Sequence, residues 1–235
     1  MRKMALKTFF AVMLLIVVFF ISGCGSSTDG NVKNAAYEII DDQGAIIQLE
    51  HKPERILTLA MGTDSIVLGI LPEEKLIAIN SLADDPVSSN IVDKANRITR
   101  KIKNPSAEEI LSLKPDVVFI YNWGKAEMVD NLRELGIKVV VVKGPKSIAD
   151  VKENVKLIAK TLGEEDKGNL MIAKMDDKLA EIKEKVDNIK PEERKKLVLI
   201  SLMTSYGGKG CTFDDICQYA GVITVSYTHL TLPTT

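Results

Sequence analysis

The sequence predicts an α/β protein with a mostly parallel sheet, continued by one long helix into the start of a second α/β unit. Three observations predict it. From residue 55 to residue 162, short apolar runs alternate with stretches of helical period. Residues 117–121 and, apart from Lys138, residues 137–142 are apolar without alternation, as strands covered on both faces must be. Residues 164–190 then carry Leu170, Ile172, Ala173, Met175, Leu179, Ile182 and Val186 among many charges, and Pro191 ends the pattern.

Taken in order, residues 36–40 and 45–49 are β-like and are separated by Asp41-Asp42-Gln43-Gly44, which predicts a hairpin. Residues 55–60 form a strand, and Thr63 is a candidate N-cap for a helix over 63–69. Residues 76–79 form the next strand. Ser106 opens a helix with capping-box spacing to Glu109, and Pro115 stops it. The strand over 117–121 leads to a helix over 126–135 closed by Gly136. The strand over 137–142 leads to an amphipathic helix over 147–162 closed by Gly163. After Pro191 come a strand over 197–203, a glycine-rich loop at Gly207-Gly208-Lys209-Gly210, and a helix over 214–219.

The two ends of the chain read differently. Arg2, Lys3 and Lys7 precede a thirteen-residue apolar run over 9–21, which suits a signal peptide and is short for a membrane span of roughly 20 residues. Ile21-Ser22-Gly23-Cys24 follows and resembles a bacterial lipobox, so Cys24 is the expected lipidated N-terminus, with a membrane anchor through that lipid. Residues 25–34 read as a flexible tether. Residues 225–235 resemble a translated sequencing adapter and are expected to lie outside the native sequence.

Charge and composition exclude several classes. The formal net charge is −1, from 31 basic and 32 acidic residues, and without the three leader cations it is −4. Such a chain has no electrostatic footprint for nucleic acid. The glycine-rich loop lacks a phosphate-loop glycine at the required offset, and Gly210 stands where Ser or Thr is needed. His51 is the only histidine before residue 225, which leaves almost no material for a Ser-His-Asp set or a histidine metal cluster. No catalytic residue, metal site or cofactor is therefore expected. Cys211 and Cys217 either pair or pack as small core residues; a helix between them would set them about 9 Å apart, too far to bridge.

Several segments together resemble the periplasmic-binding family for iron-siderophores, haem and vitamin B12. They are Lys52-Pro53-Glu54-Arg55-Ile56-Leu57; Thr63-Asp64 with Leu68-Gly69; Asn104-Pro105-Ser106 with Glu109; Leu113-Lys114-Pro115-Asp116-Val117-Val118; and Gly210 with residues 214–221. Their order and spacing carry the resemblance over residues 40–222. It implies a two-lobe periplasmic-binding fold with one long interlobe helix. The implied organisation is a lipoprotein signal peptide at 1–23, a tether at 24–35, an N-terminal α/β lobe at 36–163, the interlobe helix at 164–190 and an incomplete C-terminal lobe at 191–224. It also implies an extracytoplasmic binding lipoprotein that delivers an iron-siderophore or corrinoid ligand to an ABC transporter permease. The alternatives are a haem-binding or sensor-coupled surface lipoprotein, or an enzyme or metallocluster protein on a related fold.

Ligand contacts are expected where strands end on the cleft side: at Met61, Gly62 and Thr63 after the first lobe strand, and at Tyr121, Asn122 and Trp123 after a later one, with Tyr206 in the second lobe. Trp123 is the only tryptophan, and its indole suits the flat face of a macrocycle or aromatic chelator. Asp64 matches the family's first-lobe acid that pairs with a permease arginine, in the shorter form, and is the expected docking residue. The cleft stretches carry little positive charge, which leans toward a large neutral ligand such as a corrinoid, or a hydroxamate chelate.

Overall fold

The computed structural model describes residues 37–124, 126–199 and 209–225. Cys24, Tyr206 and residues 226–235, together with the leader and tether, lie outside the described residues. Among the described residues no helix is long and apolar enough to cross a membrane.

β1 (Tyr37–Ile40) and β2 (Ile46–Leu49) form the expected antiparallel hairpin, Ile40 pairing with Ile46. Its turn holds Gly44 at φ +77°, a left-handed position that glycine occupies without strain. The buried Asp41 carboxylate locks the turn. Its Oδ1 accepts from the Gln43 and Ala45 amides, and its Oδ2 accepts from the Val141 amide and the Arg133 guanidinium, the last at 2.6 Å.

The main sheet has five parallel strands: β3 (Ile56–Thr58), β4 (Leu76–Asn80), β5 (Lys101–Ile102), β6 (Val117–Tyr121) and β7 (Val139–Val142), in the order β5-β4-β3-β6-β7. Strand order reverses between β3 and β6. Both faces are covered, which accounts for the unbroken apolar runs. Val117, Phe119, Val140 and Val142 enter a core shared with α1 (Met61–Ile70) and α5 (Ile148–Thr161). Their neighbours Val118, Ile120, Val139 and Val141 enter a second core with α3 (Ala107–Ser112) and α4 (Ala126–Glu134). A short α2 (Val92–Ala95) precedes β5; neither has a sequence signal strong enough to predict it.

Three caps behave as expected: the Ser106 side chain accepts from the Glu109 amide, and Gly136 and Gly163 take left-handed conformations. The structure adds a fourth, the Ser147 side chain accepting from the Asp150 amide. Thr63 departs from expectation. Helix α1 begins at Met61 with Ala60 as its cap, and the Thr63 hydroxyl donates back to the Ala60 carbonyl at 2.7 Å.

Two of the family-like segments prove to be tied together. The Asp116 carboxylate accepts from the Glu54 and Arg55 amides, and the Arg55 side chain donates to the Leu113 and Lys114 carbonyls. These bonds join the amino-terminal ends of β3 and β6.

Helix α6 (Glu165–Val186) is the long helix, at 22 residues somewhat shorter than the expected span. It runs about 33 Å at 1.5 Å per residue. Gly168 lets it approach α5 closely, since a Cβ there would strike Ala159. Beyond it, β8 (Lys196–Leu197) pairs in parallel with β9 (Ile223–Thr224) beside α7 (Thr212–Tyr219). Most of the strand expected over 197–203 lies outside the described residues. The Asp215 carboxylate accepts from the Ile148 amide at 2.6 Å, and the Thr212 hydroxyl donates to the Pro145 carbonyl at 2.7 Å, fixing α7 to the start of α5.

Candidate functional site

In an open parallel sheet, loops leave the carboxyl ends of strands in opposite directions at the point where strand order reverses, and a crevice opens between them. That point here lies between β3 and β6. A concavity of about 600 Å³ occupies it. Leu59 and Ala60 bring the end of β3 to it, and Ile120, Tyr121, Trp123 and Gly124 bring the end of β6. Asn80, Ser81 and Leu82 follow β4, and Lys103, Asn104 and Pro105 follow β5. The lining is mainly apolar, and among the described residues Lys103 is its one charged side chain. Asn104 holds a left-handed φ of 48°, a conformation Asn tolerates better than most residues.

Tyr121 and Trp123 form an aromatic pair on this wall, with ring centroids 4.3 Å apart and planes tilted by 38°. Tyr121 is 6% exposed and belongs to the core as well as the cleft; Trp123 is 66% exposed. Burial, and after it the negative charge of Asp64, push the Tyr121 phenol up to about 12. Asn122, between the two rings, turns away from the concavity. Its Nδ2 donates to Asp42 at 2.7 Å and its Oδ1 accepts from the Gly144 amide at 2.9 Å.

Met61, Gly62 and Thr63 stand at the first turn of α1. None is a wall of the concavity. Met61 is half-buried, Gly62 is exposed and lies against the Tyr121 hydroxyl, and Thr63 is fully buried.

Asp64 corrects a second expectation. A docking carboxylate must reach the surface, yet Asp64 is 0% exposed. Its Oδ1 accepts from the Thr58 hydroxyl and its Oδ2 from the Asn80 amide at 3.2 Å. Burial pushes its carboxyl up to about 7, against the lowering effect of those two hydrogen bonds. Asp64 therefore braces the cleft floor: it anchors Asn80, whose side chain donates to the Leu59 carbonyl and accepts from the Leu82 amide.

The residues after β4 and β5 were not legible as site residues, because nothing in a short strand marks where its following loop turns. The reversal of strand order would have pointed to Leu59, Ala60 and Asn80. Among the described residues no cluster of His, Cys, Asp or Glu is arranged to hold a metal ion.

Comparison with known proteins agrees with this architecture. Residues 60–229 match the family model described as periplasmic binding protein. An uncharacterised ABC transporter substrate-binding lipoprotein of Bacillus subtilis, YvrC, is 23% identical over 196 residues, 79% of this chain and 61% of that protein. The iron-uptake system-binding protein of the same organism is 24% identical over 207 residues, 85% of this chain and 62% of that one. The vitamin B12-binding protein of Vibrio vulnificus is 26% identical over 115 residues, 48% of this chain and 40% of that one. The chain thus spans about three fifths of the length of the first two relatives and less of the third. In fold it resembles a crystal structure of a periplasmic haem-binding protein from Pseudomonas aeruginosa, with a TM-score of 0.62 at 15% identity, over 74% of this chain and 63% of that one.

Proposed function

The chain belongs to the periplasmic binding protein family, and from that premise we propose that it is the ligand-binding component of an ABC importer, carrying an iron-siderophore complex or a corrinoid. The observation that carries the reading is the aromatic, mainly apolar cleft wall at the strand-order reversal, with Tyr121 and Trp123 at its centre. A cleft wall of this size and character suits a ligand with an extended apolar face. With Lys103 as the one charged side chain among the described residues there, this wall favours a large neutral ligand over a highly anionic one. Relatives named for iron uptake and for vitamin B12 support the same two ligand classes.

The reading includes delivery to a permease outside the cytoplasm and tethering through lipid on Cys24. The relatives named as lipoproteins support the tether. The family consists of transport binding proteins, and no chemical step is assigned to the site.

The test is a titration of tryptophan emission in the full-length protein with cyanocobalamin, haemin, a ferric hydroxamate and a ferric catecholate. Saturable micromolar or tighter quenching by the corrinoid or the hydroxamate is expected. Binding of haemin alone would move the assignment to haem, and no saturable binding by any of the four would overturn it.

A further inference from the structure

Two glycines behind the cleft wall have no backbone reason to be glycine. Neither Gly62 nor Gly144 is among the residues with positive φ, so alanine would fit the backbone of either. Gly62 lies in the first turn of α1, where glycine weakens a helix relative to alanine. What a side chain would meet is the aromatic pair. A Cβ on Gly62 would collide with the Tyr121 hydroxyl, and a Cβ on Gly144 would collide with the Trp123 indole at Cε3 and Cζ3. The first turn of α1 and the loop after β7 thus each supply a bare Cα on which one ring of the pair is seated.

The seat is held from the far side. The amide of Asp42 donates to the Val141 carbonyl at 3.0 Å, and the Asp42 carboxylate takes the Asn122 amide. Asn122 in turn accepts from the Gly144 amide, while its own backbone amide donates to the Val142 carbonyl at 2.9 Å. The hairpin turn, the ring-bearing loop and the Gly144 loop are thereby locked in one register.

We propose that Gly62 and Gly144 are specificity-determining residues, which recess the Tyr121–Trp123 pair so that the cleft admits a ligand with a broad conjugated face, and that Asp42 and Asn122 are the positioning residues that fix this seat. The ligand half of this rests on the binding reading above; the seat itself does not.

Because Trp123 is the only tryptophan in this chain, its emission reports the seat directly. Gly144→Ala in the full chain is expected to shift the emission maximum and change iodide quenching, because the indole, already 66% exposed, loses the contact that seats its inner edge. Any fall in Tm caused by Gly144→Ala is expected to vanish in a Trp123→Ala background, since the collision needs both groups. Asn122→Ala is expected to alter emission in the same direction without adding a side chain. An unchanged emission spectrum and unchanged quenching in Gly144→Ala, or an equal fall in Tm in both backgrounds, overturns the seat. In the full-length protein, Gly144→Ala is expected to weaken whichever of cyanocobalamin, haemin or the ferric chelates binds by about fivefold or more, the equivalent of about 1 kcal/mol. Unchanged affinity for a ligand that the wild type does bind overturns the specificity role. Failure of the wild type to bind any of them overturns the binding reading and with it the ligand half of this proposal, while the emission result still judges the seat.

Discussion

Asp64 should give the protein an unusual dependence of stability on pH. Its carboxyl titrates at about 7 in the folded chain and near 3.8 when exposed. Between those values the native state holds more protons than the unfolded state, so the unfolding free energy falls as pH rises. The loss from this group begins near pH 4, is complete just above pH 7, and amounts to about 4 kcal/mol at about 1.4 kcal/mol per pH unit. Asp64→Asn removes the titration and keeps the shape. The swap leaves both contacts makeable: the Asn oxygen accepts from the Asn80 amide and its NH2 donates to the Thr58 hydroxyl, which accepts as well as donates. The two stability curves should therefore lie close together at acid pH and diverge as pH rises. At about pH 8 the variant should be the more stable by up to about 4 kcal/mol. Urea denaturation followed by circular dichroism across this range measures both curves. Parallel curves, or a wild type that gains on the variant as pH rises, would refute the buried, upward-shifted carboxyl.

Asp41→Ala should cost about 3–5 kcal/mol by urea denaturation, because it takes the acceptor from three backbone amides and breaks the Arg133 ion pair; a loss below about 1 kcal/mol would count against the locked hairpin. Trp123→Ala in the full-length protein should weaken ligand binding by at least about fivefold with little change in Tm, since the indole is mostly exposed; affinity within about twofold of wild type would remove Trp123 from the site. Metabolic labelling with a fatty-acid analogue should tag the wild type and not Cys24→Ala, and equal labelling of both would sink the lipid anchor.

Much of the first lobe was legible because its signals are local. Ser106, Gly136 and Gly163 mark helix ends through their own hydrogen bonds and φ angles, and residues 117–121 and 139–142 show two-sided burial in their composition. Strand β5 was not legible, since a two-residue strand has no period to read. The roles within the site depend on long-range packing and were less legible. An acid in the first turn of a helix suits the helix dipole, and a surface reading follows from that pattern. Only the end of β4, folding over Asp64, turns it into an internal brace. Asn122 likewise sits in sequence between two aromatic cleft residues, and its partners Asp42 and Gly144 come from loops 80 residues before it and 22 after it.

The bonds that tie Asp116 to Glu54 and Arg55 lie at the amino edge of the sheet, and the cleft lies at the carboxyl edge. Each of β3 and β6 therefore carries two separate kinds of information along its few residues. One end closes the sheet, through the Pro-Glu-Arg-Ile and Lys-Pro-Asp segments that Asp116 and Arg55 tie together. The other end is free to diversify, because exchanging a loop residue there leaves the closure at the opposite edge intact. Closure and cleft are thus written at opposite ends of the same two strands, so a change at 59–60, 80–82, 103–105 or 121–124 can reshape the concavity without loosening the bonds that shut the sheet.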